Sequence, residues 1–187
     1  MRWGCMTMND TFDEGNLRFD FSACGVAERF DMEKANPYGL KAVDFIVNTD
    51  HCVYFVEVKD YQNPNASAKR RKKDYEMLIS AVTDKKSAFC IEMGVKIKDS
   101  LLRQYALGKS FTKKVVYLLF INLDKLGESE RGLLKLKSKI NGHVPTGLND
   151  DMFGAFTGIS FDLVNAKQLK THGISCAVCS SRSAISE

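Results

Sequence analysis

The segment AVDFIVNTDHCVYFVEVK, residues 42–59, carries the clearest structural pattern in this sequence. Two runs rich in β-branched and aromatic residues, 42–47 and 52–59, flank the turn-forming residues Asn48-Thr49-Asp50-His51. This pattern is typical of a β-hairpin. Both runs are apolar on each face, as in strands that other layers cover from both sides. The segment therefore predicts a buried hairpin within a sheet.

Three charged residues, Asp44, Glu57 and Lys59, interrupt these apolar strands. Because burying an unpaired charge is costly, the fold must pair these residues with one another or with a bound metal ion. Glu57 and Lys59 are two residues apart, so they share a face of their strand. The structural alternative is a simple ion pair accompanied by an aspartate at the strand edge.

The register of the hairpin determines whether Asp44 joins the other two charges. A turn centred on Thr49-Asp50 places Asp44 opposite Phe55 and diagonal to Glu57, at ~7–8 Å between α-carbons. A slip of one residue would move Asp44 to the other face. We therefore predict that both carboxylates lie on one face, within reach of a shared ion.

Such a site is suited to phosphodiester hydrolysis. Asp44 and Glu57 offer hard oxygen ligands for Mg²⁺ or Mn²⁺, and the backbone carbonyl of Val58 is a further candidate ligand. A bound metal lowers the pKa of a coordinated water and stabilises charge on the scissile phosphate. Lys59 can orient the attacking water or stabilise that charge. The pattern predicts a metal-dependent site with Asp44, Glu57 and Lys59 as catalytic residues.

The same residues carry a family resemblance. Asp44, followed after a short turn by Glu57-Val58-Lys59, resembles the core motif of the PD-(D/E)xK nuclease superfamily, and KAVDFIV…VYFVEVKDY resembles a bacterial branch of it. The resemblance spans residues 17–178. It implies a restriction-endonuclease-like fold and a Mg²⁺- or Mn²⁺-dependent nuclease acting on DNA. Many enzymes of this type are dimers, so a homodimer is an open alternative.

Other residues enter through this resemblance. The segment VKIKDSLL, residues 95–102, is similar to a segment of the same branch, which makes Lys96 and Asp99 candidates for the rim of the active site. A surface pair spaced i,i+3 is the alternative for these two residues. Val43 stands where the motif has proline. Many members add an acidic residue from an upstream helix, and here the spacing does not choose among the candidates Glu28, Asp31 and Glu33.

The rest of the chain predicts an α/β domain with a mixed sheet flanked by helices, forming a single domain over residues 1–187. Periodicity predicts helix over 75–107, with Ile91, Val95, Leu102 and either Tyr105 or Ala106 as its apolar face and Gly108 as its stop. Before the hairpin we expect a strand over 17–22 and a helical or irregular segment over 23–40. After the long helix we expect a strand over 114–123, a helix over 127–141 and a strand over 158–164. The chain should end with a short helix capped by Asn165 and ended by Gly173, a strand over 174–178 and a loose tail over 180–187.

Basic residues suggest contacts with a polyanion. The run Lys69-Arg70-Arg71-Lys72-Lys73 falls in a polar stretch after the hairpin, where a loop could contact phosphates or simply be solvated. Lys135, Lys137 and Lys139 are expected on a solvated helix face. The net charge of +4 and sequence pI of 8.7 lean basic, which helps a polyanion approach.

The composition excludes several other classes of protein. No apolar run approaches the ~20 residues needed to span a membrane, and the N-terminus lacks the apolar region of a secretory signal. The cysteines are scattered, as is typical of reduced thiols in a cytoplasmic protein. Cys176 and Cys179 form a single CxxC, which we interpret as strand-end cysteines because no second pair stands at zinc spacing.

Two alternatives to a nuclease stay open at this point. The first is a non-catalytic protein that keeps the fold and binds nucleic acid or a partner protein. The second is a structural or interaction protein in which the three charges only stabilise one another. In the second case Lys59→Ala should destabilise the protein, and added Mg²⁺ should leave the melting temperature unchanged.

Overall fold

A computed structural model describes residues 10–31, 39–109, 111–123, 130–148 and 157–179. Glu33 and the tail 180–187, named above, lie outside these residues. The strands are β1 (Thr11–Glu14), β2 (Leu17–Asp20), β3 (Val26–Arg29), β4 (Phe45–Asn48), β5 (Cys52–Asp60), β6 (Lys114–Asn122), β7 (Ile159–Val164) and β8 (Ser175–Val178). The helices are α1 (Ala68–Thr83), α2 (Ala88–Ala106), α3 (Glu130–Asn141) and α4 (Ala166–Leu169), which continues as a 3₁₀ turn over Lys170–His172.

The strands form two sheets. The larger has the order β3-β4-β5-β6-β7, with antiparallel pairing from β3 to β5 and parallel pairing from β5 to β7. The smaller has the antiparallel order β1-β2-β8. The predicted α/β class with a mixed sheet is therefore confirmed. Within the described residues, no helix is both long enough and apolar enough to cross a bilayer.

Each face of the larger sheet has its own apolar core. One core joins Phe55 and Tyr117 to Met93 and Ile97 of α2 and to Leu136 of α3. The other joins the opposite side of the same strands to the smaller sheet and to α4, through residues that include Phe19, Phe45, Phe120 and Leu169. Helices therefore dominate one face, whereas a second sheet, which the sequence did not predict, covers much of the other.

The predicted hairpin forms, but its register differs from the expected one. Phe55 pairs with Ile46, not with Asp44, and Val56 pairs with Phe45. Continued by one residue, this register brings Asp44 level with Glu57. The difference is a shift of two residues, which leaves every side chain on its expected face because alternation has a period of two. Thr49 supports the turn, since its hydroxyl oxygen accepts hydrogen bonds from the amides of His51 and Cys52.

The N-terminal part is more strand-rich than predicted. The strand expected over 17–22 is β2, in which Leu17 and Phe19 are buried and Arg18 is exposed. A partner, β1, precedes it. The segment expected to be helical or irregular contains β3, which pairs with β4 through Glu28 opposite Ile46. Glu28 therefore lies on a strand and not on an upstream helix.

The helix predicted over 75–107 is two helices. Ser67 and Ser87 cap their N-termini by accepting hydrogen bonds from the amides of Arg70 and Cys90. α1 begins earlier than expected and includes the basic run 69–73. The apolar face expected on α2 is wrong: Ile91, Leu102 and Tyr105 are exposed, and the buried residues are Phe89, Cys90, Met93, Gly94, Ile97, Ser100, Leu101 and Gln104.

The C-terminal elements match their predicted positions closely. Asn165 caps α4 in a reciprocal capping box with Gln168, and Gly173 ends the following turn at a φ of 74°. We expected Lys135, Lys137 and Lys139 on a solvated face of α3. Lys135 is exposed as expected, but Lys137 and Lys139 make specific contacts. Lys137 pairs with Asp162 at 2.6 Å, and Lys139 donates to backbone carbonyls at the C-terminus of α1.

Candidate functional site

The backbone of Asp44, immediately before β4, is hydrogen-bonded on both sides. Its amide donates to the carbonyl of Val56 at 3.0 Å, and its carbonyl accepts from the amide of Phe30 at 2.8 Å. Its side chain is also fixed, because Oδ2 accepts a hydrogen bond of 2.5 Å from the amide of Val58. Asp44 as a residue is 6% exposed, so its carboxylate is buried, with the Val58 amide as its backbone partner.

The α2 helix anchors the segment that leads into Asp44. The hydroxyl of Ser100 accepts from the amide of Val43 at 2.9 Å, and Asp99 Oδ2 accepts from the amide of Lys41 at 2.9 Å. Ser100 is fully buried, so its hydrogen bond is shielded from water. Asp99, which was predicted at the rim, therefore binds the backbone of Lys41, which precedes Asp44 in the chain.

Glu57 is the most deeply buried charge of the site, at 0% exposure. Lys59 Nζ lies 2.8 Å from its Oε1. Lys96 Nζ lies 2.7 and 2.8 Å from its two carboxylate oxygens and 3.9 Å from Oδ1 of Asp44. Two lysines therefore compensate two carboxylates. The predicted grouping of Asp44, Glu57 and Lys59 is present, and Lys96, predicted at the rim, lies between the two acidic residues.

Burial and charge change the acidity of these groups. Burial and the neighbouring Glu57 carboxylate raise the pKa of Asp44 to about 7, although the Lys96 ammonium and the Val58 amide oppose the shift. For Lys96, burial works to lower the pKa, but the Glu57 and Asp44 carboxylates outweigh it and raise the pKa above its ordinary value. Lys96 is therefore a cation, whereas Asp44 titrates near neutral pH.

The four charged side chains line an open pocket of about 440 Å³ at the C-terminal end of β5. Two other residues of its wall, Asp60 and Tyr61, have buried polar atoms, Oδ2 and Oη, that lack a hydrogen-bond partner within the described part of the chain. Buried polar atoms are usually paired by protein or by ordered water.

Glu14 lines the same pocket and was not foreseen. It pairs with Arg29 at 2.8 Å, and its charge contributes to the raised pKa of Asp44. Glu14 ends β1, and the packing of the smaller sheet on the larger one brings it here, so no local pattern could have identified it. The acidic candidates Glu28 and Asp31 are not among the pocket residues: they contact Gln104 and Arg29 instead.

The basic run contributes one residue to the pocket. Arg70 lines it and lies 3.7 Å from Asp74, another lining residue. The other four, Lys69, Arg71, Lys72 and Lys73, are exposed on the first turns of α1. The basic run was expected in a loop, and this is wrong: its residues lie on the first turns of a helix that begins beside the pocket.

The remaining predicted ligands have simple positions. The Val58 amide faces Asp44, and because the N–H and C=O of a strand residue point to the same edge, its carbonyl faces that edge too. Cys176 lies on β8, and Cys179 follows it with its thiol 3.7 Å from Asp13. No group of three or more His, Cys, Asp or Glu side chains is gathered as a metal site within residues 10–179 as far as they are described.

Comparison with known proteins adds nothing to this geometry. No family model, no curated protein and no solved structure matches this chain. The chemistry of the site therefore has to be judged from its own residues.

Proposed function

We propose that this chain is a Mg²⁺- or Mn²⁺-dependent phosphodiesterase that cleaves nucleic acid, with DNA as the expected substrate. Asp44, Glu57 and Lys59 form its reaction centre, on a restriction-endonuclease-like version of the mixed sheet. One observation carries the proposal: two buried carboxylates share a cation, the Lys96 ammonium, at the wall of an open pocket. The free thiols of the described cysteines suit a cytoplasmic location.

The residues present fit a divalent metal ion. Asp44 and Glu57 supply hard oxygen donors, and the Val58 carbonyl faces the same edge. Mg²⁺ is commonly held by one or two carboxylates, with waters and substrate phosphate oxygens completing its shell, so two acidic residues suffice. The Lys96 ammonium between the carboxylates supports this fit, because it marks a position that is favourable for positive charge.

The roles of the side chains follow from their placement. A bound metal would supply an activated water and neutralise charge on the phosphate. Glu57 and Asp44 would hold the metal as carboxylates, and in the metal-free protein Asp44 ionises as the pH rises through its pKa of about 7. Lys59, 24% exposed, can turn from Glu57 towards the pocket, where its ammonium orients the water or the phosphate. Lys96 would exchange its carboxylate partners for a phosphate oxygen.

The surroundings of the pocket suit a polyanion. Arg70 lines the pocket and belongs to an exposed basic surface on the first turns of α1. Cations on a surface release counterions from a nucleic-acid backbone and so contribute affinity that does not depend on sequence.

One observation favours a second candidate function, a non-catalytic protein of the same fold that binds nucleic acid or a partner protein. Lys59 and Lys96 already neutralise the charges of Asp44 and Glu57, so the cluster needs no metal ion to balance its charge. A cluster of this kind can exist for structural reasons alone. Metal binding distinguishes the two candidates.

The test is cleavage of labelled single-stranded, duplex and branched DNA and RNA with Mg²⁺ or Mn²⁺. Wild type is compared with Asp44→Asn, Lys59→Ala and the control Lys98→Ala, an exposed lysine of α2. We expect metal-dependent cleavage that falls at least ~100-fold in both site variants, since removing one electrostatic contact to a transition state costs about that much. The control should match wild type.

Metal-dependent thermal stabilisation in the same samples separates the remaining outcomes. Stabilisation that is abolished by Asp44→Asn, without cleavage, supports a metal site whose substrate is missing from the panel. If neither cleavage nor stabilisation occurs with any metal, the nuclease proposal fails and the non-catalytic candidate takes its place.

A further inference from the structure

A second cavity, of about 420 Å³, opens beside the candidate site at the C-terminal ends of β6 and β7. Its volume is within the range of small-molecule pockets. In sheets with parallel strands, the carboxyl ends of the strands are the usual location of ligand sites. β6 and β7 are parallel, so the cavity has the position expected of a binding site. The reaction chemistry proposed above makes no use of it.

The two cavities share a wall. Asp60 lines the candidate site and Asn122 lines the second cavity. These residues are register partners on β5 and β6, and neighbouring strands lie ~4.8 Å apart. The Asn122 amide also donates to Asp60 Oδ1 at 2.7 Å, which fixes both side chains. A ligand that extends from the first cavity along the sheet edge would therefore enter the second.

One side of the second cavity is apolar. Leu123, Leu133 and Leu134 line it, and the side chain of Leu134 is 66% exposed. Aliphatic side chains of this kind pack against the flat face of a planar ring. This side therefore suits a ligand with one extended apolar face.

The same cavity is also lined by polar groups that are held in a fixed orientation. Asn165 and Gln168 line the cavity and form the capping box of α4, in which each side-chain oxygen accepts a backbone amide, at 2.9 and 3.1 Å. Each oxygen already accepts one hydrogen bond, and the two NH₂ groups are the donors that these side chains can offer a ligand. This edge therefore offers hydrogen-bond donors, and it selects a ligand edge that carries acceptors.

We infer that the second cavity binds one unstacked nucleobase of the substrate strand whose phosphate is cleaved at the candidate site. A nucleobase combines an apolar face with a hydrogen-bonding edge, and guanine presents the adjacent acceptors N7 and O6. A base reaches such a pocket from single-stranded or locally unpaired nucleic acid, because inside a duplex its faces are stacked. The inference rests on the proposed nuclease function for its substrate, but the pocket itself can be tested separately.

The pocket is tested with inosine, an uncharged nucleoside with the same N7 and O6 acceptors as guanine, in an NMR titration of the full chain. The double variant Asn165→Asp with Gln168→Glu keeps both capping oxygens but removes both donor NH₂ groups. Gln62→Glu, outside both cavities, is the control for the change of amide to carboxylate. We expect inosine to shift the resonances of Leu123, Leu134 and Gln168, and to bind at least tenfold more weakly to the double variant.

Substrate preference is tested in parallel. Leu134→Asp changes an exposed side chain, so the variant should fold, and it should weaken binding of single-stranded DNA at least tenfold more than binding of inorganic phosphate, with a matching loss of DNA cleavage. Cleavage that is unaffected by Leu134→Asp and by the double variant would overturn the base pocket and leave the nuclease standing. Inosine binding without any cleavage would support the pocket and count against the nuclease. No inosine binding in wild type overturns the inference.

Discussion

The ammonium of Lys96 lies 2.7 and 2.8 Å from the two carboxylate oxygens of Glu57 and 3.9 Å from Oδ1 of Asp44. One lysine from α2 therefore bridges the two acidic residues that the hairpin brings together. It occupies the position proposed for a divalent cation, so the proposed metal and Lys96 would compete for the same oxygens. The competition makes Lys96 the most informative residue of the site.

Replacing Lys96 by methionine should lower stability and raise metal affinity. Breaking an isolated buried pair costs about 3–5 kcal/mol, and we expect about 2–3 kcal/mol here because Lys59 still contacts Glu57. Mn²⁺ should then raise the melting temperature of Lys96→Met more than that of wild type, since no ammonium has to be displaced. Urea unfolding and a Mn²⁺ titration of the melting temperature measure both effects.

The matched control for that experiment is Lys98→Met. Lys98 lies on the same helix but is exposed, so Lys98→Met should change the free energy of unfolding by no more than a few tenths of a kcal/mol. The effect of Mn²⁺ on the melting temperature should be the same as in wild type. A smaller Mn²⁺ effect in Lys96→Met than in wild type would show that Lys96 helps to hold the metal and does not compete with it.

The contribution of Asp44 to the stability of the metal-free protein should fall as the pH rises from about 4 to about 7. Burial and Glu57 raise the pKa of Asp44 from 3.8 to about 7, so between these values the folded protein holds a proton that the unfolded chain has released. The stabilisation is complete below pH 3.8, is lost progressively up to about pH 7 and is constant above it, and amounts to at most about 4 kcal/mol.

Asp44→Asn isolates this dependence. Asparagine does not titrate and its side-chain oxygen can still accept from the Val58 amide. The variant should therefore lack this component of the pH dependence and should exceed wild type in stability at pH 8 in the presence of a chelator. Urea unfolding from pH 4 to pH 8 measures the difference, and parallel profiles for the two proteins would contradict the assigned role of Asp44.

Ser100→Ala should loosen the segment that positions Asp44. The Ser100 hydroxyl is the acceptor for the Val43 amide at 2.9 Å inside the protein, and leaving a buried donor unpaired costs about 1–3 kcal/mol. Urea unfolding gives the loss of stability, and hydrogen exchange at the Val43 amide should become faster. Ser138→Ala, an exposed serine of α3, is the control and should not lower stability.

Lys139→Met should weaken the packing of α3 against α1. The Lys139 ammonium donates to the carbonyls of Ala81 and Val82 at 3.0 and 2.9 Å, at a helix end that carries negative partial charge. We expect a loss of about 1–2 kcal/mol without any change in metal binding. Lys135→Met, exposed on the same helix, is the control, and an equal loss in both variants would show that the contact contributes nothing specific.

Most elements were predictable because their signals are local. The alternation of Leu17 and Phe19 with Arg18, the apolar run of β6 and the cap at Asn165 depend on neighbouring residues, and each predicted its element closely. The break between α1 and α2 was missed because it relies on a capping serine, Ser87, within an otherwise helical pattern. The buried face of α2 was misassigned because Ile91 and Tyr105 are apolar yet exposed, and burial depends on what packs against the helix.

By itself, the sequence determined that Asp44, Glu57 and Lys59 would share one face of a buried hairpin. This held even though the register was two residues from the expected one, because strand alternation repeats every two residues. Tertiary structure alone decided that Lys96 would bridge the carboxylates and that Glu14 would reach the pocket. Both contacts join residues far apart in the chain, and the packing of α2 and of the smaller sheet against the larger sheet sets their positions, which no local pattern encodes.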